Sequence, residues 1–244
     1  MIVRLALAAA VVAAAATTVV AQSDPIAARK AIMHYTQVKG IQGVQLDDIY
    51  IGNGASELIV MSMQGLLDAG YAVAMPNYGL APDTPLEASL AQSVAALNFL
   101  VREADALGLD AGSLHISGHS AGGHLAAMAL CAPDAPPITS ALLLSGLYHL
   151  NPLGHLPLGR LLGLDDPARA TRLSPIAQPR PQATRIAFAV GEGESDAFKA
   201  QSAALAAKWQ APAPLICPGH HFSLLEGLNG GALLDLALRT AEGP

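Results

Sequence analysis

Hydrophobic and polar positions follow two rhythms that take turns along most of this chain. Short, almost wholly apolar runs recur as "IYIGNG", "YAVAMPNY", "SLHIS", "ITSALLLSG", "TRIAFAVG" and "APLICPG". Each is short enough for a strand and is bounded by glycine or proline. Between them lie longer stretches with apolar residues at helical spacing. These are "ASELIVMSMQGLLDAG" closed by Gly70, "LEASLAQSVAALNFLVREADALG", "AGGHLAAMALCA", "SDAFKAQSAALAAKWQ" and a final one near "LNGGALLDLALRTA". Such alternation predicts an α/β fold, a mostly parallel sheet with helices on both faces. Strands with little polar interruption agree, because a parallel strand is buried on both sides. Residues 147–182 are rich in Gly, Pro and Leu and read as an irregular excursion with short helices. In a sheet of this kind, chemistry is expected where strands end and loops begin.

The first 21 residues have a different texture. Arg4 precedes the uncharged run "LALAAAVVAAAATTVV", and "VVAQ" offers small residues for cleavage after Ala21. That layout predicts an export leader over residues 1–21, and a periplasmic or secreted protein with no membrane span left after cleavage. A cytoplasmic setting is the alternative. Residues 22–47 read as a helical or linker segment, with Asp24 and Pro25 as a helix start, and residues 48–244 as the catalytic-type domain. With 244 residues, 52% hydrophobic and 13% charged, the chain has enough apolar material for one domain with a sizeable core. A net charge of −6 without any basic run argues against a nucleic-acid partner. Cys131 and Cys217 stand far apart in no metal or haem pattern, which suits two core thiols and leaves a single bridge open. No cofactor is implied, the expected partner is a small-molecule substrate, and nothing indicates an oligomeric state.

Gly118-His119-Ser120-Ala121-Gly122 is G-x-S-x-G between a predicted strand and a predicted helix. A serine there sits on a sharp turn that needs small neighbours, and the N–H of the next residue, Ala121, faces any anion that forms beside it. Its hydroxyl needs a base, and the base needs an orienting carboxylate. Glu192, Glu194 and Asp196 follow one predicted strand, and His220 and His221 follow the next. The order serine, acid, histidine is the one this architecture uses. His115 and His124 fall inside a strand and a helix and read as packing residues. His119 flanks the nucleophile and is expected to shape the substrate site, and Tyr78 at a strand end is a candidate to stack on an aromatic substrate.

Residues from about 70 to 227 resemble the kynurenine formamidase (arylformamidase) branch of the α/β-hydrolases. The resemblance rests on "GYAVAMPNYGLAP", "GHSAGGHLAA", "SGLYHLNPL", "LGLDDPARATRLSPI", "AVGEGESDAFKAQS" and "PGHHFSLLEGL", which occur in the family's order. It implies hydrolysis of N-formyl-kynurenine or a related aryl formamide, with no metal. By position it implies Ser120 as nucleophile and His221, in "HHF", as base. It implies Glu194, three residues beyond Gly191, as the acid, with Asp196 as fallback. A small-ester carboxylesterase using the same residues is the alternative.

Upstream the chain departs from that family. The H-G-G type segment that completes the family's oxyanion hole is absent, and Gly52, Asn53 and Gly54 are the candidates to replace its donors alongside Ala121. Little material is present for the first strands of a full hydrolase sheet. Residues 34–69 resemble a fragment of alanine-type aminotransferases, and residues 1–33 the start of a cytochrome c′ precursor. The chain therefore reads as three pieces joined end to end, and a composite protein with little or no activity is a further alternative. Neither upstream piece carries its own chemistry. No lysine stands in a pyridoxal-binding context, and CxxCH is absent.

Overall fold

Six parallel strands assemble from the residues that the computed structural model describes, namely 3–11, 64–182 and 184–243. In chain order they are β1 (Val3–Val11), β2 (Tyr71–Ala74), β3 (Leu109–Ser120), β4 (Ser140–Leu144), β5 (Arg185–Gly191) and β6 (Leu215–Cys217). Their order across the sheet is β2-β1-β3-β4-β5-β6. Helices lie in the crossovers that parallel pairing requires, and one more follows β6. They are α1 (Gln64–Asp68), α2 (Leu86–Arg102), α3 (Ala104–Leu107), α4 (Ala121–Ala129), α5 (Pro157–Leu161), α6 (Pro167–Arg172), α7 (Asp196–Lys208) and α8 (Ala232–Glu242).

Successive residues of a strand face opposite sides, and here they sort two helical layers. Leu114, Ile116, Ala141, Leu143, Ile186 and Phe188 enter the main core. Val94 and Leu97 of α2, Ala126 and Ala127 of α4, and Leu205 and Ala206 of α7 meet them there. Trp209, fully buried, closes this layer beside Phe188. On the opposite face His115, Ser117, Ser140 and Leu142 line a cavity of about 30 Å³ with Leu66 of α1 and Ala237 and Thr240 of α8. His115 is a packing residue, as its place in a strand suggested. Its Nδ1 pairs with the Ser140 hydroxyl at 2.8 Å and its Nε2 with that of Ser113 at 3.0 Å.

The strand with the least expected origin is β1. Residues 1–21 read as an export leader, yet Val3–Val11 lies inside the sheet. Arg4 to Leu7 pair in register with Tyr71 to Ala74, and Leu5 to Val11 with Leu114 to Ser120. Pairing of Val3 with Leu109, across an irregularity in the register, also starts β3 earlier than the apolar run "SLHIS" suggested. Apart from Arg4 near its start, the run Val3–Val11 is wholly apolar, so composition alone does not separate a leader from a sheet strand. The remaining boundaries have local causes. Strand β2 stops before Pro76, which cannot donate to a ladder. The stretch read as one helix over residues 86–108 breaks after Arg102 and ends at Gly108, whose left-handed φ of 69° caps α3.

The excursion packs on a small core of its own, formed by Leu150, Leu164, Ala170 and Leu173. Two polar anchors tie it down. Arg169 grips the Glu87 carboxylate of α2 with both arms, at 2.8 and 2.7 Å. That guanidinium holds the Glu87 carboxyl below its ordinary range against the pull of burial. Buried His124 of α4 meets the Leu173 carbonyl at 2.7 Å. A carbonyl only accepts, so Nε2 carries a proton, and burial lowers the pKa of the ring.

Candidate active site

Ser120 is the last residue of β3 and the cap of α4, with φ 57° and ψ −119°. A serine at positive φ is strained by about 1–3 kcal/mol, and such strain persists only where the surroundings over-determine the turn. Here the neighbours are backbone. A Cβ on Gly118 would lie 2.1 Å from the Gly122 carbonyl oxygen, and one on Gly123 3.0 Å from the Gly146 Cα. The glycines thus let α4 lie directly against the strand ends. The nucleophile elbow that results presents Ser120 to solvent in part, with the first N–H of α4, on Ala121, beside it.

The other two elements arrive from the ends of β5 and β6. The loops after these strands are laced together: the Glu192 N–H donates to the Cys217 carbonyl at 2.7 Å, and the Gly193 N–H to that of Gly219 at 2.8 Å. This lacing brings residues 27 positions apart into contact. His221 Nδ1 lies 2.7 Å from Glu194 Oε2, and His221 Nε2 lies 2.9 Å from Ser120 Oγ. An ionised carboxylate can only accept, so Nδ1 carries the imidazole proton and Nε2 is free to take that of the serine. The three side chains form a Ser–His–Glu relay in the order that nucleophilic catalysis needs.

The acid is enclosed. The Glu194 side chain is only 1% exposed, whereas Glu192 and Asp196 are exposed. Glu194 Oε1 accepts from the Ser145 hydroxyl and from the Gly191 N–H at 2.8 Å. Burial pushes its carboxyl up, but hydrogen bonds from Ser145, His221 and Gly191 outweigh that and hold it below its ordinary range. The base is enclosed differently, by rings. His119, Phe198 and Phe222 stand with centroids 4.5, 4.7 and 5.2 Å from that of His221. They leave the imidazole little freedom to swing. His220, the other candidate base, is exposed, and its Nδ1 accepts from the Phe222 N–H at 3.3 Å.

Not every expected contact is present. His119, read as a substrate-shaping residue, is only 3% exposed and turned inward, its Nε2 2.6 Å from the backbone carbonyl of His221. Burial and the nearby His221 push its pKa down to about 4, against weaker opposing effects of that carbonyl and of Glu194. It is therefore a neutral Nε2–H donor at ordinary pH. Tyr78 is half-buried, its buried hydroxyl has no hydrogen-bond partner among the described residues, and desolvation raises that hydroxyl to about 12. No described contact joins it to the triad. Gly52, Asn53 and Gly54, the expected further oxyanion donors, lie outside the described residues. Ser145 went unnoticed in the sequence. Its one signal was its place at the end of an apolar strand in "LLLSG", where a loop leaves the sheet.

Comparison with known proteins agrees with this architecture. Residues 50–138 match BD-FAE, an α/β-hydrolase family. A truncated carbohydrate esterase from gut microbiota superposes with a TM-score of 0.71 at 16% identity, covering 98% of this chain and 85% of that one. A protein assigned as a thioesterase from Silicibacter gives 0.66 at 24% identity, with 93% and 71% covered. Carboxyl esterase 2 of the fungus Tuber melanosporum gives 0.61 at 18% identity, with 78% and 73% covered. The fold is α/β-hydrolase-like. A stretch of 60 residues is 55% identical to the glutamate-pyruvate aminotransferase AlaA of Haemophilus influenzae. That match covers 25% of this chain and only 14% of the aminotransferase.

Proposed function

We propose that the protein is a serine hydrolase in which Ser120 attacks a carbonyl carbon, His221 relays the proton and Glu194 holds the imidazole. The observation that carries this reading is the continuous chain of contacts from Ser120 through His221 to Glu194. In the first step the Ser120 oxygen bonds to the carbonyl carbon while its proton passes to His221 Nε2. The ionised Glu194 stabilises the imidazolium. The oxyanion rests at the N-terminus of α4, on the Ala121 N–H. His221 then gives its proton to the leaving atom, and water clears the acyl-enzyme by the same route. The substrate we propose is an aryl formamide of the N-formyl-kynurenine kind. The support is the run of segments from "GYAVAMPNYGLAP" to "PGHHFSLLEGL", together with the exposed ring of Phe222 beside His221, an apolar surface for an aryl group. Small carboxylic esters are the second reading, favoured by the esterases among the structural neighbours.

The test has two stages. A fluorophosphonate probe should label the wild-type chain and not Ser120→Ala; equal labelling of both would end the serine-hydrolase reading. Rates on an aryl formamide and on a short p-nitrophenyl ester then separate the substrates. A formamide rate no higher than that of Ser120→Ala, beside clear ester turnover, would discard the formamidase reading.

A further inference from the structure

Ser145 occupies a position where glycine would cost less. It follows β4 with φ 46°, in the left-handed region, and it is fully buried. The turn is locked on both sides. The Ser145 N–H donates to the Ala189 carbonyl at 2.9 Å, extending the β4–β5 ladder by one residue. A Cβ on Gly146 would fall 2.4 Å from the Tyr148 ring, and the N–H groups of Tyr148 and His149 both donate to Gln201 Oε1, at 2.8 and 2.7 Å. Nothing in this backbone requires a hydroxyl. The hydroxyl is nevertheless aimed at Glu194 Oε1, 49 residues away in sequence.

We infer that Ser145 is a positioning residue whose hydroxyl fixes the Glu194 carboxylate so that its other oxygen faces His221. The inference rests on the Ser120–His221–Glu194 reading above. With Oε1 shared between Ser145 and the Gly191 N–H, the carboxylate cannot rotate about its last bond without losing two donors in a buried site. Oε2 is thereby presented to Nδ1 alone. Without the serine proton the carboxylate is less solvated and its negative charge falls more heavily on the imidazole. Either consequence, a carboxyl easier to protonate or an imidazolium harder to deprotonate, moves the acid limb of the rate profile to higher pH. The other titratable groups facing Glu194 are His119 and Tyr148, and neither contacts the Ser145 hydroxyl.

Ser145→Ala and Ser145→Gly test this in the full chain, read by the second-order rate of fluorophosphonate labelling from about pH 5 to 9, across the range where a histidine titrates. Both variants should label about tenfold more slowly at neutral pH, the loss of one hydrogen bond to a charged group. In both, the acid limb should move up. Because stability itself falls in acid, circular dichroism gives the folded fraction at each pH and the rate is referred to folded protein, so that loss of fold cannot imitate a moved limb. Ser145→Gly suits the left-handed backbone, so it keeps the test valid if alanine strains the turn. A glycine variant as fast as wild type, or slower with an unmoved limb, would overturn the role of the hydroxyl. Absence of wild-type labelling would instead overturn the triad reading on which it rests.

Discussion

His119 donates its Nε2 proton to the backbone carbonyl of His221 across 2.6 Å. The residue beside the nucleophile thus holds the residue that carries the base. The two lie 102 positions apart, one at the end of β3 and one in the loop after β6, and this bond ties that loop to the strand independently of the Ser120–His221–Glu194 contacts. Loss of the donor should loosen the base loop without touching substrate. His119→Leu is expected to lower kcat by about tenfold, one hydrogen bond's worth, with KM little changed. His119→Gln, whose amide reaches a similar point, should recover most of the rate. Steady-state kinetics on any turned-over substrate checks both.

The burial contrast between Glu194 and Asp196 gives a second expectation. Glu194→Gln leaves the fold intact but presents the wrong partner to Nδ1, and should lower kcat by roughly 10³–10⁴. Asp196→Asn, altering an exposed residue at the start of α7, should stay within about twofold of wild type. Comparable losses in the two variants would reassign the acid.

Stability should fall in mild acid. His119 takes its proton only near pH 4 in the folded chain, against an ordinary value of 6.5, and buried His124 is lowered in the same direction by desolvation. Between those pH values the unfolded chain binds the proton and the native chain does not. Stability therefore drops as pH falls, by about 1.4 kcal/mol per pH unit for each group titrating so. Glu194 adds to the loss at lower pH. Its depressed carboxyl contributes stability above the unfolded value, which disappears as pH falls through the folded one. Urea midpoints measured across this range should decline with acid, and less steeply in His119→Gln.

Gly118→Ala tests the elbow as a packing device. The added methyl would meet the Gly122 carbonyl at 2.1 Å, an atom of the backbone that cannot rotate away. A loss of about 3 kcal/mol or more is expected. Thermal unfolding reads it directly, and a melting temperature equal to wild type would contradict the close approach of α4.

Processing of the N-terminus offers the last test. Cleavage after Ala21 would remove β1 and leave β2 and β3 with unpaired inner edges. The chain purified in its folded, probe-reactive form is expected to retain residues 1–21 by intact mass. A chain trimmed after Ala21 that still reacts with the probe would show that β1 is dispensable.

Much of the site was legible because its parts are local patterns. Gly118 to Gly122 identify a sharp strand-to-helix turn by composition alone, and the acid and base candidates each follow an apolar run that reads as a strand, β5 being buried and β6 lying at the sheet edge with Ile216 exposed. The choice among Glu192, Glu194 and Asp196 was harder. Three carboxylates within five residues differ only in which one the turn after Gly191 points inward. The family resemblance favoured Glu194, and the inward turn is visible in the fold. The parts that could not be read are contacts across long separations. Ser145 reaching Glu194 and His119 reaching the His221 carbonyl leave no trace in residue spacing, since neither partner constrains the other's neighbours.

The sequence by itself determined the class of fold and placed a serine, carboxylates and histidines at successive strand ends in that order, because strand periodicity and glycine placement are encoded residue by residue. Tertiary structure alone decided how that relay is held. It put Val3–Val11 into the sheet, since a run of alanine, leucine and valine with one arginine near its start satisfies a strand between two neighbours as well as it satisfies a leader. It also turned His119 inward and Ser145 toward Glu194, because buried donors must find acceptors and only the packed chain determines which are within reach.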